Sequence, residues 1–317
     1  MHTCPDIAGG LENVLHEWTW LWIPASIFAA AAQVGRNAIQ RSLTEQLGTI
    51  GATQVRFLYG FPFAVLFAGL ALLVTGSSIP RTDLSFVLFT LAGAISQILA
   101  TALMLAAMRQ RAFVVVTAWT KTEPVQVALF GLIVLGDTLS VLAMVAIVIA
   151  TVGVTIMARK PLSGADAKVS TWQPAAFGIL AGACFAIAAV SFRGAILSLG
   201  EGHFLAHASW TLACGLGVQT LLLAGWMMVF QREVWWSCLR AWRISIWGGL
   251  LGASASQGWF IGFALTAAAN VRTLGLVEIL FAQLLSWRVF LNKGTRQEMT
   301  GTVLIIVGVG LLLLARQ

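Results

Sequence analysis

The chain has 317 residues, of which 59% are hydrophobic and only 10% charged, and its mean hydropathy is +0.88. That balance excludes a soluble globular protein of this length and predicts an all-α polytopic membrane protein. The net charge of +7 does not point to nucleic acid, because the basic residues come in ones and twos between apolar runs, as membrane-flanking charge does.

The first 17 residues carry Asp6, Glu12 and Glu17 and lack the basic start of a signal peptide, so the first apolar helix is expected to stay in the mature protein. From there the pattern predicts ten transmembrane helices, over 18–40, 51–75, 84–108, 112–135, 138–158, 173–199, 206–230, 243–268, 270–291 and 297–315. Connections are short, so consecutive helices are expected to be antiparallel neighbours. The exception is 159–172, with Pro161, Gly164 and Lys168, which reads as a linker between a first five-helix unit, 18–158, and a second, 173–315.

The two units repeat one another. Phe28 to Ile39 reads F-A-A-A-A-Q-V-G-R-N-A-I, and Phe185 to Ile196 reads F-A-I-A-A-V-S-F-R-G-A-I, with Phe, Arg and Ile recurring at an offset of 157. Ser96-Gln97 is echoed by Ser256-Gln257, Glu123 by Glu278, and Gly153 by Gly308. Five helices is an odd number, so the copies must cross the bilayer in opposite directions: an inverted repeat, whose site is expected at mid-membrane between the units.

The most informative stretch is Trp119-Thr120-Lys121-Thr122-Glu123-Pro124-Val125-Gln126, which puts charges and a proline mid-way along the apolar run from Ala112 to Leu135. A charge at a helix centre carries an insertion penalty of roughly 2.5–3.5 kcal/mol, so such residues face a partner or an aqueous cavity. Pro124 frees a carbonyl and predicts a bend at that level. Lys121 and Glu123 are two apart and do not share a helix face, so any pairing runs across helices or through a ligand.

Arg36 late in the first helix, Arg56-Phe57-Leu58 opening the second, and Glu123-Pro124 followed by Leu135-Gly136-Asp137 together resemble the EamA-type members of the drug/metabolite transporter superfamily, over about residues 18 to 315. The resemblance implies a ten-helix carrier with cytoplasmic termini. The chain departs from the family pattern at Val277-Glu278-Ile279, which lacks the proline, and at Leu291-Asn292-Lys293 in place of Leu-Gly-Glu.

Glu123 is therefore expected to be a proton-coupling site or a ligand anchor, or else half of a structural pair. Glu278 is its repeat-related acid; Leu276 stands at the position matching Lys121, which predicts no obvious partner for Glu278. Gln97 and Gln257 are candidate substrate contacts or helix-joining amides. Arg36 and Arg193 read as interfacial anchors or as a cationic rim for an anionic or zwitterionic substrate. Trp119 shares a face with Glu123 and is expected to wall the pocket, with Gln126 beyond it, whereas Trp210 and Trp259 read as lipid-facing or packing residues.

The expected function is a secondary carrier, an exporter of a small polar metabolite such as an amino acid or related zwitterion, coupled to protons and working by alternating access. Alternatives are an exporter of drugs or organic cations, an uncoupled facilitator, and a lipid-translocating or intramembrane structural or enzymatic protein. No His-Glu-x-x-His, Gly-x-Ser-x-Gly or Gly-x4-Gly-Lys-Ser/Thr motif supports an enzyme or a nucleotide-driven pump. Cys4, Cys184, Cys214 and Cys238 lack metal spacing, so no metal or cofactor is expected. The expected partners are a small-molecule substrate, the lipid bilayer and protons, with the protein a monomer or homodimer, in the inner membrane if bacterial.

Orientation draws two opposed expectations. Loops on the side of the first connection hold Arg41, Arg109, Arg111, Arg159, Lys160, Lys168, Arg232, Arg240, Arg243, Lys293 and Arg296, against Arg81, Arg272 and Arg316 on the side of the termini. The positive-inside rule thus puts both termini outside, contrary to the resemblance.

Overall fold

A computed structural model of the chain describes residues 18–110, 119–158, 172–281, 283 and 295–315. After a 3₁₀ turn at Thr19–Leu21 the helices are α1 (Trp22–Thr75), α2 (Leu84–Gln110), α3 (Glu123–Leu135), α4 (Val141–Ala158), α5 (Trp172–Ser198), α6 (Phe204–Phe230), α7 (Arg232–Arg240), α8 (Trp242–Leu265), α9 (Ala268–Leu274) and α10 (Arg296–Leu314). The described residues form no strand.

Among the described residues, five helical stretches are long and apolar enough to cross a membrane: Ser42–Thr75, Leu84–Met104, Ala175–Ser198, Phe204–Phe230 and Arg296–Leu314. Glu123–Leu135 and Val141–Met157 are apolar but shorter. The linker at 159–172 falls almost wholly outside the described residues, which resume at Trp172.

Burial is inverted relative to a soluble domain. Leu73, Val74, Ile133, Val141, Leu221 and Val229 are each at least 70% exposed, while the interior is dominated by alanine, with serine, threonine and glycine. A protein in lipid gains nothing by hiding leucine, and small residues let helix backbones approach. Hydroxyls are settled locally: Thr53, Thr101, Thr155, Thr211 and Thr273 each donate to the carbonyl four residues back.

Helix ends follow sequence chemistry. Gly76 and Gly136 close α1 and α3 in the left-handed conformation. Asp83 Oδ1 accepts from Phe86 N–H at 2.7 Å, and Thr295 with Glu298 forms a capping box on α10.

The helices predicted at 18–40 and 51–75 are joined without a loop, since residues 41–50 are themselves helical. The one break in α1 is Gly48, at φ 69° and ψ 178°, a region only glycine enters freely. The chain turns back there. Arg36 and Arg56, which a straight helix would hold ~30 Å apart, both pack against Gly252 of α8. Leu43 and Val55 share a small cluster with Met227 and Cys238, which seats the amphipathic α7 under the reversal.

The predicted span 112–135 is not continuous: Lys121 and Thr122 form a turn, and Pro124 sits at the start of α3 instead of bending its middle. With 13 residues, α3 is only about 20 Å long. The span predicted from 270 is broken too, without a proline, at Gly275 and Leu276, with helix resuming at 277.

Glycine permits close packing where α4 meets α10. A Cβ on Gly301 would lie 2.6 Å from the Gly153 carbonyl oxygen, and one on Gly308 2.7 Å from Ala150. Gly310, on the same helix, faces open space. We predict that Gly301→Val lowers the melting temperature in detergent by the equivalent of about 1–3 kcal/mol of overpacking, whereas Gly310→Ala leaves it unchanged or raised; intrinsic-fluorescence melting of the two variants checks both.

Candidate functional site

Between the C-terminal part of α1 before Gly48, the start of its second arm, α2, α8 and the two helix breaks lies a cavity of about 440 Å³. Its mouth is polar, with Gln40, Thr44, Glu45 and Thr49 near the chain reversal, and its inner end holds Lys121, Glu123, Trp259, Arg272 and Glu278. Phe185, Phe192 and Phe260 supply an apolar wall.

The breaks account for the charges. Where a helix in lipid is interrupted, exposed backbone and a new helix terminus collect polar groups. Glu123 opens α3, where the positive end of the helix dipole favours a carboxylate. Lys121 lies in the turn just before it, and Glu278 follows the corresponding break at Gly275–Leu276.

Pairing across these breaks differs from expectation. Glu278 does have partners: Lys121 Nζ forms an ion pair with its Oε1, and Gln33 Nε2 donates to its Oε2. Gln33 Oε1 in turn accepts from the Trp259 indole N–H at 3.2 Å. Glu123 is matched by Arg272, with Nε 3.1 Å from Oε1, a charge contact in which neither atom is aligned for a hydrogen bond. The Arg272 guanidinium also lies over the rings of Trp259 and Phe263, at 5.4 and 5.3 Å. Each acid is thus held by a base from the other end of the chain, 119–123 against 272–278. The residue at one repeat-related position, Leu276 against Lys121, says nothing about such cross-pairing, so it gives no sign of the partner of Glu278.

Several other candidates are relocated. Arg193 does not line the cavity. It grips Asp137 with Nε and Nη2 at 2.9 and 3.0 Å, and its Nη1 donates at 2.6 Å to the carbonyls of Phe263 and Thr266 at the end of α8. Those carbonyls are the orphans of a helix C-terminus, and Arg193 ties α5, α8 and the α3–α4 turn together. Gln257 donates to Ser209 Oγ at 2.8 Å and does not line the cavity; its neighbour Ser256 does. Gln126 donates to Thr122 Oγ1 at 3.0 Å, and neither it nor Trp119 is part of the lining. Trp259, read as a packing residue, is the indole of the site.

Gln97 lines the cavity while its Oε1 accepts from Gln219 at 2.6 Å. Arg36 lines it as well, 7% exposed, well inside the fold and not at an interface. Arg272, counted among the loop charges, is buried against Glu123 and so drops out of the orientation argument. Arg272 and Gln33 were not singled out from sequence. The available signal was polar side chains inside apolar runs, with Gln33 three residues before Arg36 on the same face. No group of three or more metal-ligating side chains occurs among the described residues.

No family model matches the chain, and no curated protein matches it either. A protein of known crystal structure has a similar fold, with a TM-score of 0.66 at 15% identity over 95% of this chain and 97% of its own. At that identity the likeness concerns the fold alone.

Two predictions follow from the pairing. Lys121→Met and Glu278→Met each strand a buried charge, with an expected loss on the order of 3 kcal/mol, while the double variant regains most of it; a thermal double-mutant cycle reads the difference. Arg193→Lys keeps the charge but loses the fork that serves Asp137 and two carbonyls, so its melting temperature is expected to fall as well.

Proposed function

We propose that the chain is a secondary carrier of a small polar organic solute, related to the EamA-type transporters, with ten spans in two inverted five-helix units and its site at the cavity described above. The observation that carries this reading is the pair of cross-chain ion contacts, Lys121–Glu278 and Glu123–Arg272, standing at two helix breaks around one cavity. Broken helices that meet around a polar site near the membrane midplane are the usual construction of carriers built from inverted repeats.

The helix neighbours support the repeat. Under the sequence correspondence, α1 packed on α8 is the counterpart of α5 packed on α2, and both contacts are extensive. The contacts of α4 with α10 and of α3 with α9 map onto themselves. A pseudo-two-fold axis in the membrane plane produces such a pattern.

Alternating access then has concrete parts. The cavity reaches the chain reversal at Glu45 and Gly48, on the side of Arg232, Arg240 and Arg243. By the positive-inside rule that side is cytoplasmic, the side from which an exporter loads. The Arg193–Asp137 grip, which is not among the cavity residues, seals the opposite end in this state. Motion of one unit against the other changes the geometry of both ion pairs, and protonation of either glutamate weakens its pair, which is a route for proton coupling.

The test is uptake of labelled amino acids, organic anions and organic cations into proteoliposomes, with and without an imposed pH gradient. Gradient-driven uptake is expected in the wild type and at least about tenfold less in Glu123→Gln, equal to ~1.4 kcal/mol of barrier. Uptake of none of these compounds would refute the carrier reading.

A further inference from the structure

We infer that the carried solute is an organic anion, bound through its anionic group by Arg36 and Arg56; the inference rests on the carrier reading and narrows its substrate class. The two acids at the inner end of the cavity are already taken, Glu278 by Lys121 and Glu123 by Arg272. The mixed charge that suggested a zwitterion is therefore settled within the protein, and what remains is positive. Arg36 and Arg56 both line the cavity, and neither forms an ion pair with a carboxylate among the described residues.

Both arginines converge on one wall. A methyl group on Gly252 would sit 3.3 Å from Arg36 Cδ and 3.8 Å from Arg56 Cγ, so the stems flank the same glycine from the two arms of α1. The Nε and Nη2 of Arg36 donate to Asn37 Oδ1, at 3.3 and 2.8 Å, a neutral acceptor; Glu278, already paired with Lys121, attracts Arg36 only from beyond ion-pair distance. The guanidinium of Arg56 lies 5.4 Å over the ring of the adjacent Phe57. The remaining acid of the lining, Glu45, is exposed at the mouth, where water screens it.

The contrast with Arg193 sharpens the point. Arg193 stands at the repeat position of Arg36 and is matched in the first unit by the aspartate of Leu135-Gly136-Asp137, whereas the corresponding sequence in the second unit, Leu291-Asn292-Lys293, holds no carboxylate. Among the described residues, one of these two arginines pairs with a carboxylate and the other does not. A buried cation without a counter-ion is costly, and two beside each other more so; an incoming carboxylate or similar anion supplies the missing charge through charge-assisted, fork-matched hydrogen bonds. Phe185, Phe192 and Phe260 then face the rest of the solute, which favours an apolar or aromatic body behind the anionic group.

Two series that hold the body constant and vary the charge test this: phenylacetate, phenylalanine and phenethylamine, and hexanoate, norleucine and pentylamine. Thermal stabilisation of the purified full chain measures binding, and counterflow in proteoliposomes measures transport with the same compounds. The expected result is stabilisation by the anion above the zwitterion and the amine in at least one series, with apparent affinity lowered about tenfold or more in Arg36→Gln and in Arg56→Gln. Arg81→Gln, an equal charge change on an exposed loop residue, is expected to bind as the wild type does. Without ligand, the two cavity variants are expected to melt no lower than the wild type, because each removes an unmatched charge. Preference for the zwitterion or the amine, no stabilisation by either anion, or anion affinity that survives both substitutions would overturn the inference. Binding of the anion without counterflow would instead defeat the carrier reading and leave the anion site standing.

Discussion

A chain with leucine, valine and isoleucine on its outside has no water along most of its length, so every charge it carries inward must find its match there. In this protein the match is made between distant parts of the sequence. Lys121 meets Glu278, and Glu123 meets Arg272, at the two places where helices are interrupted. The interruptions create the need for polar company, and the company in turn holds the interruptions open as a cavity wall. Gln33 and Trp259 extend the arrangement into α1 and α8, so four separate stretches share one polar centre.

Much of this was legible in the sequence because lipid imposes simple length and composition rules. The helices predicted at 84–108, 138–158, 173–199, 206–230, 243–268 and 297–315 end within a few residues of α2, α4, α5, α6, α8 and α10. Legibility failed where an element's fate depends on contacts. Residues 41–50 looked like a connection by polarity, yet Leu43, Leu47 and Ile50 find apolar neighbours under α7 and remain helical. Pro124 was read as a bend because its position in the apolar run was central, whereas it serves as an N-terminal residue of a new helix.

For the site, residue type was informative and partnership was not. Glu123, Lys121, Glu278, Gln97 and Arg36 do line one cavity. Spacing along a single helix misassigned Trp119, since the turn at Lys121–Thr122 destroys the periodicity on which its shared face with Glu123 depended. Arg193 and Arg36 occupy matching positions of the proposed repeat yet differ in surroundings: Asp137 and two helix-end carbonyls take the first, and a neutral asparagine the second. Matching residues in two stretches of sequence need not share a role; the chemistry of each is set by what faces it.

The alanine-rich interior also bears on how such a chain compacts. Alanine has no side-chain rotamers to freeze, so bringing these helices together loses backbone and rigid-body freedom but almost no side-chain entropy. Much of the leucine, isoleucine and valine stays on the outside, where it keeps its mobility. In a solvent that gives no hydrophobic reward for helix association, an interior that has little disorder to surrender makes weak dispersion contacts sufficient.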